Sequence, residues 1–230
     1  MAVSTLAEFL SKLSEPSGQR ARERFCGEVA AALDSSGRAL WAFGLGVEPA
    51  REGLALITQM AASLASGASL LYSNENWYSG ACVVRQLVEA EYLLFLSSID
   101  QSEVALWRQS TYEQRRKLFS PAKMRERSAG RFRSSEYHAH CERGGHPSPL
   151  GAAFLPEHQS EVGSNVWLWV DLAQHLERLW SFFEGAVEIQ GGVHVRSVTD
   201  ARANIAVAAA RWHAIDPCAS WVVLDPEHGT

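Results

Sequence analysis

Three histidines, a cysteine, an acid and a base crowd the start of the segment YHAHCERGGHPSPL, Tyr137–Leu150. Side chains of these types could hold a zinc ion, or could act as a nucleophile with its base. On a helix, however, residues i and i+2 do not share a face, so His138 and His140 would point apart. The chain also lacks a second Cys/His pair at finger-like spacing. We therefore predict no metal and no cofactor.

The residue pattern of the same segment is also typical of the end of a helix. Tyr137 and Cys141 are four residues apart and could both face a core. Gly144 or Gly145 would supply a left-handed cap, and His146 would lie just past that cap. A purely structural role and a catalytic role for this helix end both stay open.

A second chemical feature lies in the apolar segment WYSGACVVRQLVEAEYLLFLSS. Arg85 and Glu89 are four residues apart in it and share one helical face. Such a pair could be an internal ion pair that orders a bundle, or a dyad that holds an arginine in place for function.

A third feature is a basic stretch in an otherwise acidic protein. The whole chain has a formal net charge of −5, yet nine Lys or Arg and two Glu lie between Arg108 and Arg133. Such a stretch can bind phosphate groups or can be a solvated helical face. The predicted RNA contacts are Arg115, Arg116, Lys117, Lys123, Arg125, Arg131 and Arg133, with Tyr112, Phe119 and Phe132 stacking on bases.

The elements that must position these residues are helical nearly throughout. Apolar residues recur at helical spacing from Leu6 onward, and only 193–196 and 221–224 alternate like short strands. We predict an all-α fold, a helical bundle of about eight to ten helices in a single domain, 1–230. The expected helices are 6–13, 19–33, 50–65, 77–97, 100–107, one before and one after Pro121 reaching Arg143, 165–187 and 198–213. Asp34-Ser-Ser-Gly is expected to interrupt the helix that begins at 19.

Several classes of protein are excluded by missing patterns. The chain has no P-loop, no dinucleotide-binding glycine motif, no HExxH and no GxSxG. The uncharged segment 53–74 contains Thr58, Gln59 and four serines, so a central bundle helix explains it better than a membrane span. Four scattered cysteines and an N-terminus unlike a signal peptide predict a cytoplasmic protein that does not enter a membrane.

Taken together, three of these segments resemble the bacterial HEPN-like helical proteins. The resemblance rests on WYSGACVVRQLVEAEYLL, on RRKLFSPAKMR with Trp107, and on YHAHCERGGHPS, so it spans roughly Ser73 to Pro149. It implies a HEPN-like core at about 50–215 and a homodimer. It also implies a role in toxin–antitoxin or anti-phage systems, where active members are metal-independent endoribonucleases. Their motif is an arginine and a later histidine with four to six residues between them.

In this chain the histidine of that motif would be His146. None of Ala139, His140 and Cys141 is arginine, and Arg143 is only three residues before His146. Cleavage of RNA by its own 2′-hydroxyl needs a base and a cation beside the phosphate. We predict that the catalytic residues are His146, Arg143, His140, Arg85 and Glu89.

Two other functions stay open at this point. The first is a non-catalytic helical scaffold that binds a partner protein encoded nearby, and it predicts that Trp167, Trp169 or Trp180 is exposed. The second is a bundle that binds a small molecule in an internal pocket lined by Arg85, Glu89 and His146.

Overall fold

The computed structural model of the protein describes residues 11–44, 48–155, 164–191 and 196–220. Every regular element within these ranges is helical, which confirms the predicted all-α bundle. The α-helices, in chain order, are α1 (Pro16–Gly44), α2 (Pro49–Ser73), α3 (Trp77–Ile99), α4 (Gln101–Gln109), α5 (Tyr112–Leu118), α6 (Pro121–Arg127), α7 (Ser134–His140), α8 (Pro149–Ala152), α9 (Ser164–Ile189) and α10 (Arg196–Ile215). A π-helical turn, Cys141–Gly145, continues α7.

Helices α2 and α3 form the centre of the bundle. Helix α2 packs against α1, α3 and α4, while α3 also packs against α9 and the π-helical turn. Helix α10 returns to α1, where Phe25 and Trp212 stack with ring centroids 4.6 Å apart. One apolar cluster joins these helices, from Phe25 to Ala219. The bundle therefore packs α3 against α9, which brings the buried Glu91 of α3 to the buried Asp171 and His175 of α9.

Helix α2 is long and apolar enough to cross a membrane by length and composition, and it is the one such helix in the described ranges. Its buried side includes Leu54, Ile57, Ala61 and Ala65, which pack against neighbouring helices, while Met60 and Leu70 are exposed. Burial in the core accounts for the apolar stripe of α2 without a bilayer.

Helix α1 is longer than the sequence predicts. The segment Asp34-Ser-Ser-Gly was expected to interrupt it, but α1 runs unbroken to Gly44. Asp34 pairs with Arg38 one turn later. Gly37 lies where α1 meets α2, and a Cβ there would come within 2.7 Å of Gln59 Cγ. This glycine permits close helix packing and does not end the helix.

The helix expected to continue to Arg143 is instead broken before α7. Ala129 and Gly130 have φ angles of 51° and 82°, which reverse the chain between α6 and α7. The predicted start at Pro121 is confirmed, because Pro121 occupies the first turn of α6. The two strand candidates lie almost wholly outside the described residues, as does most of the predicted first helix.

A buried ion pair ties the end of the bundle together. Arg22 on α1 and Asp216 after α10 have no exposed side-chain surface, and Arg22 Nε lies 2.6 Å from Asp216 Oδ2. Asp216 also accepts hydrogen bonds from Trp212 Nε1 at 2.8 Å and from the Cys218 backbone N–H at 3.0 Å. Arg22 donates to the Leu13 carbonyl at 2.6 Å. These contacts join α1 to Leu13, just before it in sequence, and to Asp216, just after α10.

Candidate functional site

Helices α3 and α7 bring together a triad of polar side chains: Arg85, Glu89 and Tyr137. Arg85 Nη2 donates to the Tyr137 hydroxyl at 2.8 Å. That hydroxyl in turn donates to Glu89 Oε1 at 2.8 Å. Arg85 Nη2 also lies 3.0 Å from Glu89 Oε1, so the three groups close a triangle. Charge-assisted contacts of this kind fix the guanidinium in one orientation.

The triad lies at the edge of the bundle. The side chains of Arg85 and Glu89 keep 25% and 31% of their surface exposed, while Tyr137 is buried. The guanidinium of Arg125 on α6 lies 4.5 Å above the Tyr137 ring, a cation–π contact. Arg125 Nη1 is buried and makes no hydrogen bond among the described residues. Two guanidinium groups therefore flank one phenol ring near the surface.

Burial raises the pKa of Tyr137, and its hydrogen bond to the Glu89 carboxylate raises it further. The phenol therefore stays neutral and acts as a bridge. Burial alone would lower the pKa of Arg85, but contacts with Cys141, Glu89 and Tyr137 outweigh that effect and raise it. Arg85 is thus a permanent cation that is held in place.

The π-helical turn packs on α3 and on Arg85 just before the predicted His146. A left-handed cap was expected at Gly144 or Gly145, but the positive φ angles of the described glycines occur at Gly130 and Gly191. Gly144 and Gly145 are instead needed because they lie directly against α3. A Cβ on Gly144 would lie 2.4 Å from Cys82 N of α3, and one on Gly145 would lie 2.7 Å from Arg85 Cδ.

His146 leaves this turn with an extended backbone, φ −142° and ψ 152°, and is exposed. Its N–H donates to the Cys141 carbonyl at 3.1 Å, which closes the wide π-helical ring. Gly145, the residue before it, lies against Arg85, so the exposed His146 comes one residue after this contact. π-helical turns are rare and are often found at functional sites.

A second polar cluster lies inside the bundle, on the opposite side of α3. His175 Nδ1 on α9 lies 2.6 Å from Glu91 Oε2, and Arg178 Nε donates to Glu91 Oε1 at 2.7 Å. Arg178 Nη2 also donates to Glu136 Oε1 at 3.0 Å. The Nε2 atoms of His175 and His140 face each other at 3.0 Å.

Asp171 completes this buried cluster from α9. Its Oδ2 lies 3.7 Å from His140 Nδ1 and 3.9 Å from Arg143 Nη1, and its Oδ1 lies 3.7 Å from His175 Nε2. Burial lowers the pKa of His140 to about 4, so its imidazole is neutral at pH 7. Burial would raise the pKa of Glu91, but Arg178 and His175 outweigh it and hold that carboxyl ionised. Burial acts on Asp171 in the same way, and His140 is the largest influence that lowers its pKa.

The structure therefore divides the residues predicted to act together. Arg85 and Glu89 meet at the triad, and His146 follows the turn that packs on it. His140 is only 3% exposed and belongs to the interior cluster, where it cannot contact RNA. Arg143 also points inward, with its guanidinium 4.9 Å above the Trp167 ring. The prediction that His138 and His140 face apart agrees with the structure, since His138 is exposed.

Most of the basic stretch is on the surface. Arg115, Arg116, Lys117, Lys123, Arg131 and Arg133 are exposed, and Arg125 is partly buried. Some of these cations have partners: Lys123 Nζ lies 2.7 Å from Glu126, and Arg115 donates to the Ser110 carbonyl. Tyr112 is 69% exposed, but Phe119 and Phe132 are buried. The expectation that both phenylalanines stack on bases was wrong, because both belong to the apolar core, where Phe132 packs against Tyr92, Phe95 and Phe182.

Sequence reasoning missed Glu91, Asp171, His175, Arg178 and the bridging role of Tyr137. Two signals were present in the sequence. Asp171 and His175 are four residues apart within an apolar helix, and Arg178 follows one turn later. Glu91 also lies among apolar neighbours. What the sequence did not carry was the crossing of α3, α7 and α9 that joins these positions.

Comparisons with models of protein families, with curated proteins and with solved structures gave no match. The geometry of the chain itself is therefore the basis for any functional assignment.

Proposed function

We propose that the protein is a HEPN-like endoribonuclease that cleaves RNA without a metal ion, with Arg85 and His146 at its centre. One observation carries the proposal: the turn before His146 packs on Arg85, whose guanidinium is fixed by Tyr137 and Glu89. A base and a fixed cation are the minimum that this chemistry needs, and the proposal requires the exposed His146 to reach a phosphate held by Arg85. The arginine absent from the histidine's own helix is replaced by one from α3.

The reaction uses the RNA's own 2′-hydroxyl as the nucleophile. His146 removes its proton, the 2′-oxygen bonds to phosphorus, and the bond from phosphorus to the 5′-oxygen breaks. The 5′-oxygen takes the proton back from the imidazolium, leaving a 2′,3′-cyclic phosphate and a 5′-hydroxyl. Arg85 stabilises the extra negative charge on the phosphorane, and Tyr137 and Glu89 hold it for that task.

The exposed cations of the basic stretch support binding of RNA. Exposed cations of α5 and the segment before α7, with Tyr112 available for stacking, lie in the same part of the chain as Arg125. Backbone phosphates bind such surfaces without regard to sequence. We expect two copies to pair so that their basic surfaces form one cleft, with His146 of each copy at the shared edge.

In the cell, we propose a cytoplasmic role in a bacterial toxin–antitoxin or anti-phage system, with a partner protein encoded nearby that controls the nuclease. Four free cysteines are consistent with a reducing compartment. The scaffold alternative required an exposed tryptophan, and every tryptophan in the described ranges is buried or half-buried. An interface built on Trp167, Trp169 or Trp180 therefore has no support.

Purified protein incubated with total RNA and excess EDTA tests the proposal. We expect cleavage with cyclic phosphate ends, a loss of at least about 100-fold on His146→Ala, and a similar loss on Arg85→Ala. His138→Ala is the matched control, since His138 is exposed on the same segment. If wild type and His146→Ala are equally inert, or equally active, the nuclease assignment is wrong.

A further inference from the structure

The interior cluster contains two neighbouring imidazoles with carboxylates around both. His140 and His175 come from α7 and α9, and each turns its Nε2 toward the other while a carboxylate lies near its Nδ1. For His175 that carboxylate is Glu91 at 2.6 Å, and for His140 it is Asp171 at 3.7 Å. The same pattern orients metal-binding histidines, with the outer nitrogen held by a carboxylate and the inner one free to ligate.

The contacts of His175 fix the direction of its ring. Its Nδ1 faces Glu91 Oε2 at 2.6 Å and Arg178 Nη2 at 2.8 Å, and its Nε2 faces His140 Nε2 at 3.0 Å. Asp171 lies 3.7 Å from both His140 Nδ1 and His175 Nε2. In the tautomers that leave both Nε2 atoms unprotonated, the two lone pairs point at one position, where a metal ion would be bound by both.

Acidic side chains also surround the two imidazoles. Glu91, Glu136 and Asp171 supply three carboxylates, which Arg143 and Arg178 contact. Carboxylates both ligate divalent cations and orient the histidines that do so.

We propose that His140, His175 and Glu136 bind one divalent transition-metal ion, with Glu91 and Asp171 orienting the two histidines. The ligand atoms of the three residues all lie within 4.8 Å of one another. Tetrahedral zinc with bonds of about 2.0–2.1 Å needs its nitrogens about 3.3 Å apart, so the two rings move by only a few tenths of an ångström. Two histidines and one carboxylate suit zinc or ferrous iron.

The ion has a route from solvent. Glu136 keeps 37% of its side chain exposed and, with Arg178, lines an open pocket of about 520 Å³. The remaining lining residues are Phe95, Ser128, Ala129, Gly130, Arg131 and Phe132. Coordination positions not filled by protein would face this pocket. The site lies across α3 from Arg85 and His146, and the inference does not rest on nuclease activity.

The test measures metal content and metal-dependent stability of the full chain. After removal of metal with a chelator, Zn²⁺ and Fe²⁺ (the latter without oxygen) are each added to wild type, and Mg²⁺ is the negative arm. We expect wild type to bind one transition-metal ion per chain and to show a raised Tm with Zn²⁺ or Fe²⁺. Mg²⁺ prefers oxygen ligands, so it should neither bind at this site nor raise the Tm. Glu136→Gln and His175→Gln should lose the stoichiometric ion, and Glu91→Gln should weaken affinity about 10–100-fold.

His138→Ala is the matched control and should retain the ion, since His138 is exposed and only two residues from His140. Should His175→Gln fail to fold, Glu136→Gln decides the question, because its side chain is partly at the surface. The proposal is overturned if wild type binds neither ion and its Tm does not move. It is equally overturned if Glu136→Gln and folded His175→Gln bind as tightly as wild type.

Discussion

Glu89 and Glu91 are two residues apart on α3 and serve opposite sides of it. Glu89 Oε1 accepts from Tyr137 at 2.8 Å near the surface, while Glu91 Oε2 lies 2.6 Å from His175 in the interior. Helix α7 repeats this division, because Tyr137 faces the first carboxylate and His140 faces the second cluster. A short part of α3 and one short helix thus support two separate polar sites.

Tyr137→Phe removes the hydroxyl that bridges Arg85 and Glu89. The direct contact between those two side chains, at 3.0 Å, remains. We expect the free energy of unfolding to fall by about 1–2 kcal/mol, the range for loss of a buried hydrogen bond. Urea denaturation measures it. Tyr112→Phe is the control, because Tyr112 is 69% exposed, and it should change stability by less than about 0.5 kcal/mol. Equal effects of the two changes would contradict the bridging role.

Gly144→Ala places a methyl group against the backbone of α3. The new Cβ would lie 2.4 Å from Cys82 N and 2.5 Å from the Ala81 carbonyl carbon, so the turn must move away. Overpacking of this kind costs about 1–3 kcal/mol, which thermal denaturation would detect.

The matched change, Gly27→Ala on α1, has open space around its Cβ. It replaces glycine in a helix interior, so we expect stability to rise by about 0.4–1 kcal/mol. If Gly144→Ala were as harmless as Gly27→Ala, the close packing of the turn on α3 would be wrong.

Asp216→Ala leaves Arg22 charged and buried without its partner. Loss of one member of a buried pair typically costs about 3–5 kcal/mol, because the remaining charge stays desolvated. Glu28→Ala breaks the exposed pair with Arg24, whose side chains keep 35% and 63% of their surface. That change should cost less than about 1 kcal/mol. Denaturant midpoints measure the loss of stability in each variant. Similar midpoints for Asp216→Ala and Glu28→Ala would refute the buried position of Asp216.

Lys117→Ala tests the basic surface without touching the triad. Lys117 is exposed on α5. If it contacts a phosphate, RNA affinity falls and the log–log salt slope decreases by about 0.7, the value for one contact to a single strand. Filter binding across a salt series gives both quantities. Arg38→Ala on α1 is the control and should leave the slope unchanged, and a slope that changes equally in both variants would argue against a defined RNA surface.

Much of the architecture follows from the sequence because it depends on local pattern. Apolar spacing at 3.6 residues predicts α3 within about two residues of its observed bounds, and it predicts α9 equally well. The pair of Arg85 and Glu89 was also readable, since four residues on a helix always share a face. The predicted helix interruption near Gly37 and the predicted cap at Gly144 were wrong. In sequence, a glycine that permits close packing looks like one that ends a helix.

The sequence by itself determined the all-α class, the helix order, the pairing of Arg85 with Glu89, and the opposite faces of His138 and His140. Each of these is a property of neighbours within a turn or two of one helix. Only the tertiary structure decided that Tyr137 bridges Arg85 to Glu89, and that His140 meets His175 instead of joining His146. Those contacts join residues 35 to 52 positions apart. They depend on how α3, α7 and α9 cross, and helix crossing is set by the whole packed core and not by any local pattern.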